Sequence, residues 1–344
     1  MKIGNIDLGE RPVILAPMDD VTDASFRLVC KECGADAVVT EFIPAEGLIR
    51  DAKKALAKMK TLPEETPVGI QIYGADPDAM VHAAQMADHA DEIAGGHGAD
   101  WIDINFGCPV TKIALRGAGS GMMREPDKMV MITERIVKAV RKPVTVKTRL
   151  GWDDKSKIIV PLAERLQDAG IQALTIHGRT RCQMYRGSAD WSLIAAVKAN
   201  PAMHIPIVGN GDITSAAVAK ADFEMSGVDG IMVGRASFGH PWIFREIKHL
   251  LTTGEELPPL GVKERVALAK RHFALSLEFK GEPRGIYEMR RHLSCYFKGL
   301  PNFKDTRMRL VTSMDPGEIV SILEEIADKW NECELPEAAN VYGV

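Results

Sequence analysis

Through the first 240 residues, short apolar and β-branched runs alternate with longer stretches whose apolar positions recur at helical spacing. The strand-like runs are Val13–Ala16, Ala37–Thr40, Val68–Ile72, Trp101–Asn105, Val144–Lys147, Ala173–Ile176, Pro206–Val208 and Gly230–Val233. Between them lie helical stretches such as Asp78–His89, Asp127–Val140, Ile158–Asp168 and Ser215–Met225. Eight such units in series predict an α/β protein built as a (β/α)8 TIM barrel. From Gly261 onward the strand pattern stops. Val266, Leu268, Phe273, Leu275 and Leu277, then Ile286, Met289, Leu293, Tyr296 and Phe297, suit amphipathic helices. The expected organisation is a barrel domain over 1–245 and a C-terminal all-helical bundle domain over 260–344.

Polar or glycine-bearing residues follow each predicted strand. They are Ala16-Pro17-Met18, Glu41, Gln71, Asn105 with Cys108, Lys147-Thr148-Arg149, His177-Gly178-Arg179, Gly209-Asn210-Gly211-Asp212 and Gly234-Arg235. Active sites of this fold lie at the carboxyl ends of the strands. One polar residue at a strand end is an ordinary exposed position, whereas convergence around the whole ring predicts a site. The glycine-rich turns after strands seven and eight, with Arg235, offer backbone N–H groups and a cation where this fold commonly holds a phosphate.

Within Asn105-Phe106-Gly107-Cys108-Pro109 a thiol sits on a loop at the end of a buried-looking strand. A free cysteine is often just a small hydrophobe, so this motif alone leaves packing and catalysis both open. Lys147 suits charge stabilisation at one end of a ring system, although a lysine on a barrel strand could also form a Schiff base. Gln71 can donate and accept at an amide-like edge. The adjacent Arg149 and the off-centre Cys108 favour charge stabilisation.

The 344 residues are 46% hydrophobic, enough for a real core. No apolar run suits a signal or a membrane span. Six scattered cysteines lack a secreted disulfide pattern, which points to the cytoplasm. Cys30-Lys31-Glu32-Cys33 lacks a second ligand pair and reads as structural. The net charge of −4 is unevenly spread: residues 263–309 carry twelve Lys/Arg against five acids. Arg284, Arg291 and Lys298 recur every seven residues, with Arg290 and His292 beside them. Such a stripe is either a solvated face or a polyanion contact.

Taken together, these motifs resemble the tRNA-dihydrouridine synthases, nearest their B-type bacterial branch, over nearly the whole chain. The resemblance rests on Ala16-Pro17-Met18-Asp19-Asp20-Val21-Thr22-Asp23-Ala24-Ser25-Phe26-Arg27 and on Asn105-Phe106-Gly107-Cys108-Pro109 with Lys112 and Arg116. Lys147–Gly151, His177–Thr180, Gly209–Asp212 and Val233–Arg235 continue it in order. Asp19-Asp20 replaces a usual Ala-Gly, and Thr111 stands where many members carry lysine. The resemblance implies FMN-dependent reduction of the C5–C6 bond of a D-loop uridine in tRNA, with NADPH as electron source. It implies hydride transfer from flavin N5 to C6 and proton donation by Cys108 to C5. By the same resemblance Ala16, Pro17, Met18, Gln71, Lys147, His177, Asn210, Gly211, Asp212, Gly234 and Arg235 bind the cofactor. Asn105, Lys112, Arg116, Arg149, Arg179 and the C-terminal Arg284, Arg290, Arg291, His292 and Lys298 face the uridine or the tRNA. No metal, membrane or stable protein partner is expected. A free-pyrimidine reductase of the dihydroorotate dehydrogenase kind would explain Cys108 and Lys147 but not the basic helices. A non-catalytic RNA-binding protein would explain only those helices.

Overall fold

The computed structural model describes residues 1–333, so the last eleven residues of the predicted C-terminal domain lie outside the described residues. Eight parallel strands close a barrel. They are β1 (Val13–Leu15), β2 (Ala37–Val39), β3 (Val68–Tyr73), β4 (Trp101–Phe106), β5 (Val144–Arg149), β6 (Ala173–His177), β7 (Ile207–Asn210) and β8 (Gly230–Val233). Each pairs with its sequence neighbour, and β8 returns to β1. A short strand, Ile43–Pro44, adds to the rim beside β3. The fold expected from the alternating pattern is the one observed, with strand ends shifted by one or two residues.

Side chains at alternate strand positions enter the barrel, and the interior is filled in layers. At the bottom, Trp101 packs with Ile14, Ala37, Ala173 and Val208. A Cβ at Gly69 would lie 2.4 Å from the Trp101 ring, so the glycine in β3 makes room for the indole. Higher up, register sets Gln71 beside Asp103 and Asp103 beside Thr145, and Asn105 beside Lys147.

The outer helices start on local signals. Helix α1 (Ala24–Glu32) is capped by Asp23, whose side chain accepts from Phe26 N. Helix α2 (Pro77–Asp88) has Asp76 at its cap and proline in its first turn, where a missing N–H costs nothing. Helices α3 (Pro126–Ala139), α4 (Ile159–Asp168), α5 (Ser192–Ala199) and α6 (Ala216–Ser226) complete the ring as far as β8.

After α7 (Ile243–Thr253), four helices form a second core: α8 (Val262–Lys280), α9 (Arg284–Tyr296), α10 (Lys304–Thr312) and α11 (Pro316–Lys329). Phe273, Met289, Leu293, Tyr296, Leu323 and Trp330 are buried in it, together with Leu28 and Val29 of α1. Helix α1 is therefore shared. Phe26 lies 5.4 Å from the His272 ring and 4.9 Å from the His292 ring. Lys280 pairs with the capping Asp23, and Arg271 with Glu32.

Arg27 and Glu65 form a fully buried ion pair at 3.0 Å, and Arg27 also donates to Thr22 O. Burial holds the Glu65 carboxyl above its ordinary range despite Arg27. Desolvation therefore outweighs the attraction, and the pair's role is to fix the turn between β1 and α1. Glu65→Gln should destabilise by about 3–5 kcal/mol in a denaturant melt, because it strands a buried guanidinium. The double change Arg27→Met/Glu65→Leu should lose clearly less. Equal losses would contradict this assignment.

Burial lowers His272 to about 4 and holds His292 well below its usual value. Their unfolded-state values lie near 6.5, so between about pH 6.5 and 4 the unfolded chain binds more protons. Stability should fall as pH falls through that window. His272→Phe should flatten the slope by up to one proton, about 1.4 kcal/mol per pH unit. An unchanged slope in melting experiments would show that His272 is not buried neutral.

Candidate active site

A cavity of about 400 Å³ opens at the carboxyl ends of the strands. It is lined by Ala16, Pro17 and Met18 after β1, Asn105 near the end of β4 and Cys108 after it, and Lys147 and Arg149 of β5. His177, Asn210, Gly211, Asp212, Gly234 and Arg235 line the opposite wall. That volume falls in the small-molecule range.

Cys108 is held from both sides of its backbone. Asn105 Oδ1 accepts from Gly107 N at 3.0 Å and Cys108 N at 2.9 Å. Cys108 O accepts from Ser120 N at 3.1 Å and Ser120 Oγ at 2.8 Å. Gly119, at φ +55°, passes so close that a Cβ there would lie 3.0 Å from Cys108 O. Arg149 Nε donates to Gly107 O at 2.7 Å, and its Nη1 holds Thr180 O and Met184 O. The thiol is 7% exposed, and burial raises its pKa above the ordinary value. It therefore carries its proton at neutral pH.

Lys147 Nζ reaches the opposite wall and donates to Asn210 Oδ1 at 3.0 Å, while Asn210 Nδ2 donates to Met232 O. Burial, with Arg149 nearby, lowers Lys147 to about 8. His177 is held well below its ordinary value by burial and by surrounding cations, so its ring is neutral. Its Nδ1 is buried with no hydrogen-bond partner among the described residues. Asp212 bridges Arg179 at 2.6 Å and Arg235 at 3.2 Å, and these cations hold its carboxyl below the usual range although burial opposes them. Gly211, at φ +127°, has a conformation that L side chains rarely adopt, and a Cβ there would lie 2.8 Å from Ala189 Cβ.

Several expected contacts differ in the structure. Gln71 is fully buried below the cavity, its amide held between Asp103 and Asn105. Arg179 turns to Asp212 and to the carbonyls of Arg186 and Gly187, so it braces two loops rather than facing the cavity. Arg149 likewise fastens the Cys108 loop. His292 is a correction: it is 3% exposed and packs on Phe26, Phe238 and His272, because its position in α9 faces the core. The heptad stripe is also interrupted. Helix α9 ends at Tyr296, which leaves Lys298 beyond it. Arg284 pairs with Glu288, and Arg290 donates to Thr312 O. Arg291 alone of the stripe lines the cavity mouth. Lys112, in the short helix Thr111–Ala114 after Cys108, and Arg116, in the turn that follows it, are both exposed.

Sequence pattern did not single out Tyr185, whose exposed ring lies at the mouth under Arg235 at 4.8 Å and Arg149 at 5.7 Å. Nor did it single out Trp152, with Arg124 at 3.5 Å and Arg181 at 4.8 Å from its ring centre. Both rings sit in loops after strands, where no periodicity marks them. The Asp19-Asp20 departure has a simple accommodation. Asp20 adopts φ +57°, a left-handed conformation that glycine favours and aspartate tolerates, and Asp19 pairs with Lys58 at 2.5 Å.

The dihydrouridine synthase family model matches residues 14–331. A probable tRNA-dihydrouridine synthase of Rickettsia conorii is 40% identical over 329 residues, 95% of this chain and 96% of that relative. The tRNA-dihydrouridine synthase B of Pseudomonas aeruginosa is 38% identical over 332 residues, 96% of this chain and 97% of that relative. Among solved structures, a 2-naphthoyl-CoA reductase complex superposes with a TM-score of 0.55 at 12% identity, over 72% of this chain and 51% of that one. A morphinone reductase variant superposes at 0.51 and 12% identity, over 75% and 91%. These structural likenesses concern the fold. The family match runs from the first barrel strand through the last described helix, and the chain belongs to the dihydrouridine synthase family.

Proposed function

We propose that this chain is a tRNA-dihydrouridine synthase that reduces the C5–C6 bond of a D-loop uridine, with FMN in the cavity, NADPH as electron source and Cys108 as proton donor. The observation that carries this reading is a protonated, backbone-clamped thiol facing a cavity with a cationic wall. The residues present fit a phosphorylated flavin. The unpartnered His177 Nδ1 awaits a polar group, the glycine turns at Gly211 and Gly234 line the cavity, and Arg235 supplies charge. Bound there, FMN would supply hydride transfer.

The chain's own residues supply the rest. Ala16, Pro17 and Met18 would support the ring system, and Lys147 would stabilise negative charge at its edge. Gly211, Gly234 and Arg235 would hold the phosphate. Asn105 fixes the Cys108 loop, so that the Sγ–H can protonate C5 as charge develops there. A resting thiolate would have no proton to give, and burial of Cys108 avoids that state. The barrel, residues 1–245, would carry the chemistry, and the helices from 260 onward would dock the RNA, with the protein working in the cytoplasm. Arg291 at the mouth supports a polymer substrate over a free pyrimidine. The target uridine must leave its stack to reach the cavity.

Cys108→Ala should keep its flavin and lose roughly 10²–10⁴-fold in tRNA reduction, the usual range for general acid catalysis. The wild-type rate should hold through neutral pH, fall as pH rises through about 8, where Lys147 loses its charge, and fall further as the Cys108 thiol ionises above its ordinary range. Near-normal turnover by the alanine variant would remove Cys108 from the mechanism.

A second test concerns the RNA surface. Lys112→Ala/Arg116→Ala/Arg291→Ala should weaken tRNA binding and reduce its log–log salt slope, by up to about 0.9 for each lost duplex phosphate contact. Arg284→Ala should change the slope little, because Glu288 already neutralises that cation. A salt series of tRNA affinities that leaves the triple variant at wild-type values would place the RNA elsewhere.

A further inference from the structure

Below the cavity lies a buried carboxylate that the chemistry above does not use. Asp103 is 3% exposed, and register puts it between Gln71 on β3 and Thr145 on β5. Its Oδ2 accepts from Gln71 Nε2 at 2.5 Å and its Oδ1 from Thr145 Oγ1 at 2.5 Å. Gln71 Oε1 accepts from Asn105 Nδ2 at 2.9 Å. Asn105 Oδ1 in turn accepts from the backbone of Gly107 and Cys108.

The direction of this chain is forced at both ends. Backbone N–H groups only donate, so Asn105 must turn its oxygen to the loop and its amide nitrogen to Gln71. Gln71 must then present its oxygen to Asn105 and its nitrogen to Asp103. A carboxylate is the side chain that accepts there without ambiguity, while Thr145 keeps it in place.

We propose that Asp103 is a positioning residue for Cys108, acting through Gln71 and Asn105 to set which way both amides point. Without the acceptor Gln71 is free to flip, and a flipped Gln71 would turn its NH₂ toward the Asn105 amide nitrogen, donor against donor, and push Asn105 off the two backbone N–H groups it holds. The loop would loosen, and the thiol would lose its placement over the cavity. Burial raises the Asp103 carboxyl above its ordinary value, opposed by the hydrogen bonds from Thr145 and Gln71 and by the charge of Lys147. This inference rests on the reading of Cys108 as proton donor, but its geometric part does not.

The test compares Asp103→Leu, which removes the acceptor, with Asp103→Asn, which retains one. In the asparagine variant the side-chain oxygen still accepts from Gln71, and its amide donates to the Thr145 hydroxyl. The first readout is peptide-resolved N-ethylmaleimide labelling of Cys108 in the full-length protein, as purified and after flavin removal. The second separates flavin reduction by NADPH from flavin reoxidation by tRNA. Asp103→Leu should label Cys108 roughly tenfold faster and lose about 10²-fold in reoxidation, the scale of a 1 Å misplacement. Reduction by NADPH should stay within about twofold, and Asp103→Asn should remain near wild type in both readouts. Gln71→Met, which breaks the chain one link higher, should reproduce the faster Cys108 labelling in the flavin-free protein and serves if the leucine variant does not fold. Wild-type labelling in both breaking variants, or an asparagine variant as impaired as the leucine one, would overturn the proposal. If labelling follows the expected pattern while wild-type protein fails to act on tRNA, the proposed function falls and the positioning role stands.

Discussion

The amide oxygen of Asn105 is the contact on which the site depends. It accepts from two successive backbone N–H groups, Gly107 and Cys108, and so decides where the chain goes after β4. A strand that ends in Gly-Cys-Pro has no pairing of its own to hold it. Arg149 and Ser120 fasten the carbonyls of the same segment. With N–H and C=O groups both occupied, the thiol has little freedom to leave the cavity wall. The barrel offers this fixation because β3, β4 and β5 present polar side chains inward at adjacent register positions. Each of those groups finds a partner, as burial requires.

The helical module matters to the site through α1. That helix starts on Asp23, which pairs with Lys280, and its Phe26 packs against both His272 and His292. The docking brings Arg291 of α9 to the cavity mouth, so the opening is completed by both halves of the chain. Neutral buried histidines and a buried Arg27–Glu65 pair sit in this junction. The histidines make the stability of this junction fall as pH falls.

Much of the architecture was legible in the sequence because parallel strands buried on both faces read as continuous apolar runs. The cavity wall was legible too, since Cys108, Lys147, Asn210 and Arg235 stand at the ends of such runs. What escaped was orientation. Heptad spacing placed His292 beside the basic stripe, yet its side chain faces the core. The positive charge of α8 to α10 looked continuous, but Glu32, Glu288, Glu324 and Glu325 neutralise Arg271, Arg284, Lys270 and Arg309. Only Arg284 and Glu288 stand four apart on one helix; the other three acids come from different helices, which no linear pattern pairs. Tyr185 and Trp152 lie in loops, and Asp103 read as one polar residue in a strand rather than as the base of a hydrogen-bond chain.

The central claim is that the cavity joins a flavin to a uridine held within RNA. It is tested most directly by reducing the holoprotein with NADPH under anaerobic conditions and following the return of oxidised flavin absorbance on adding unmodified tRNA. The account predicts reoxidation matched one-for-one by dihydrouridine formation in the RNA, with free uridine and orotate far slower. Reoxidation by a free pyrimidine as fast as by tRNA, or none by tRNA at all, would contradict it.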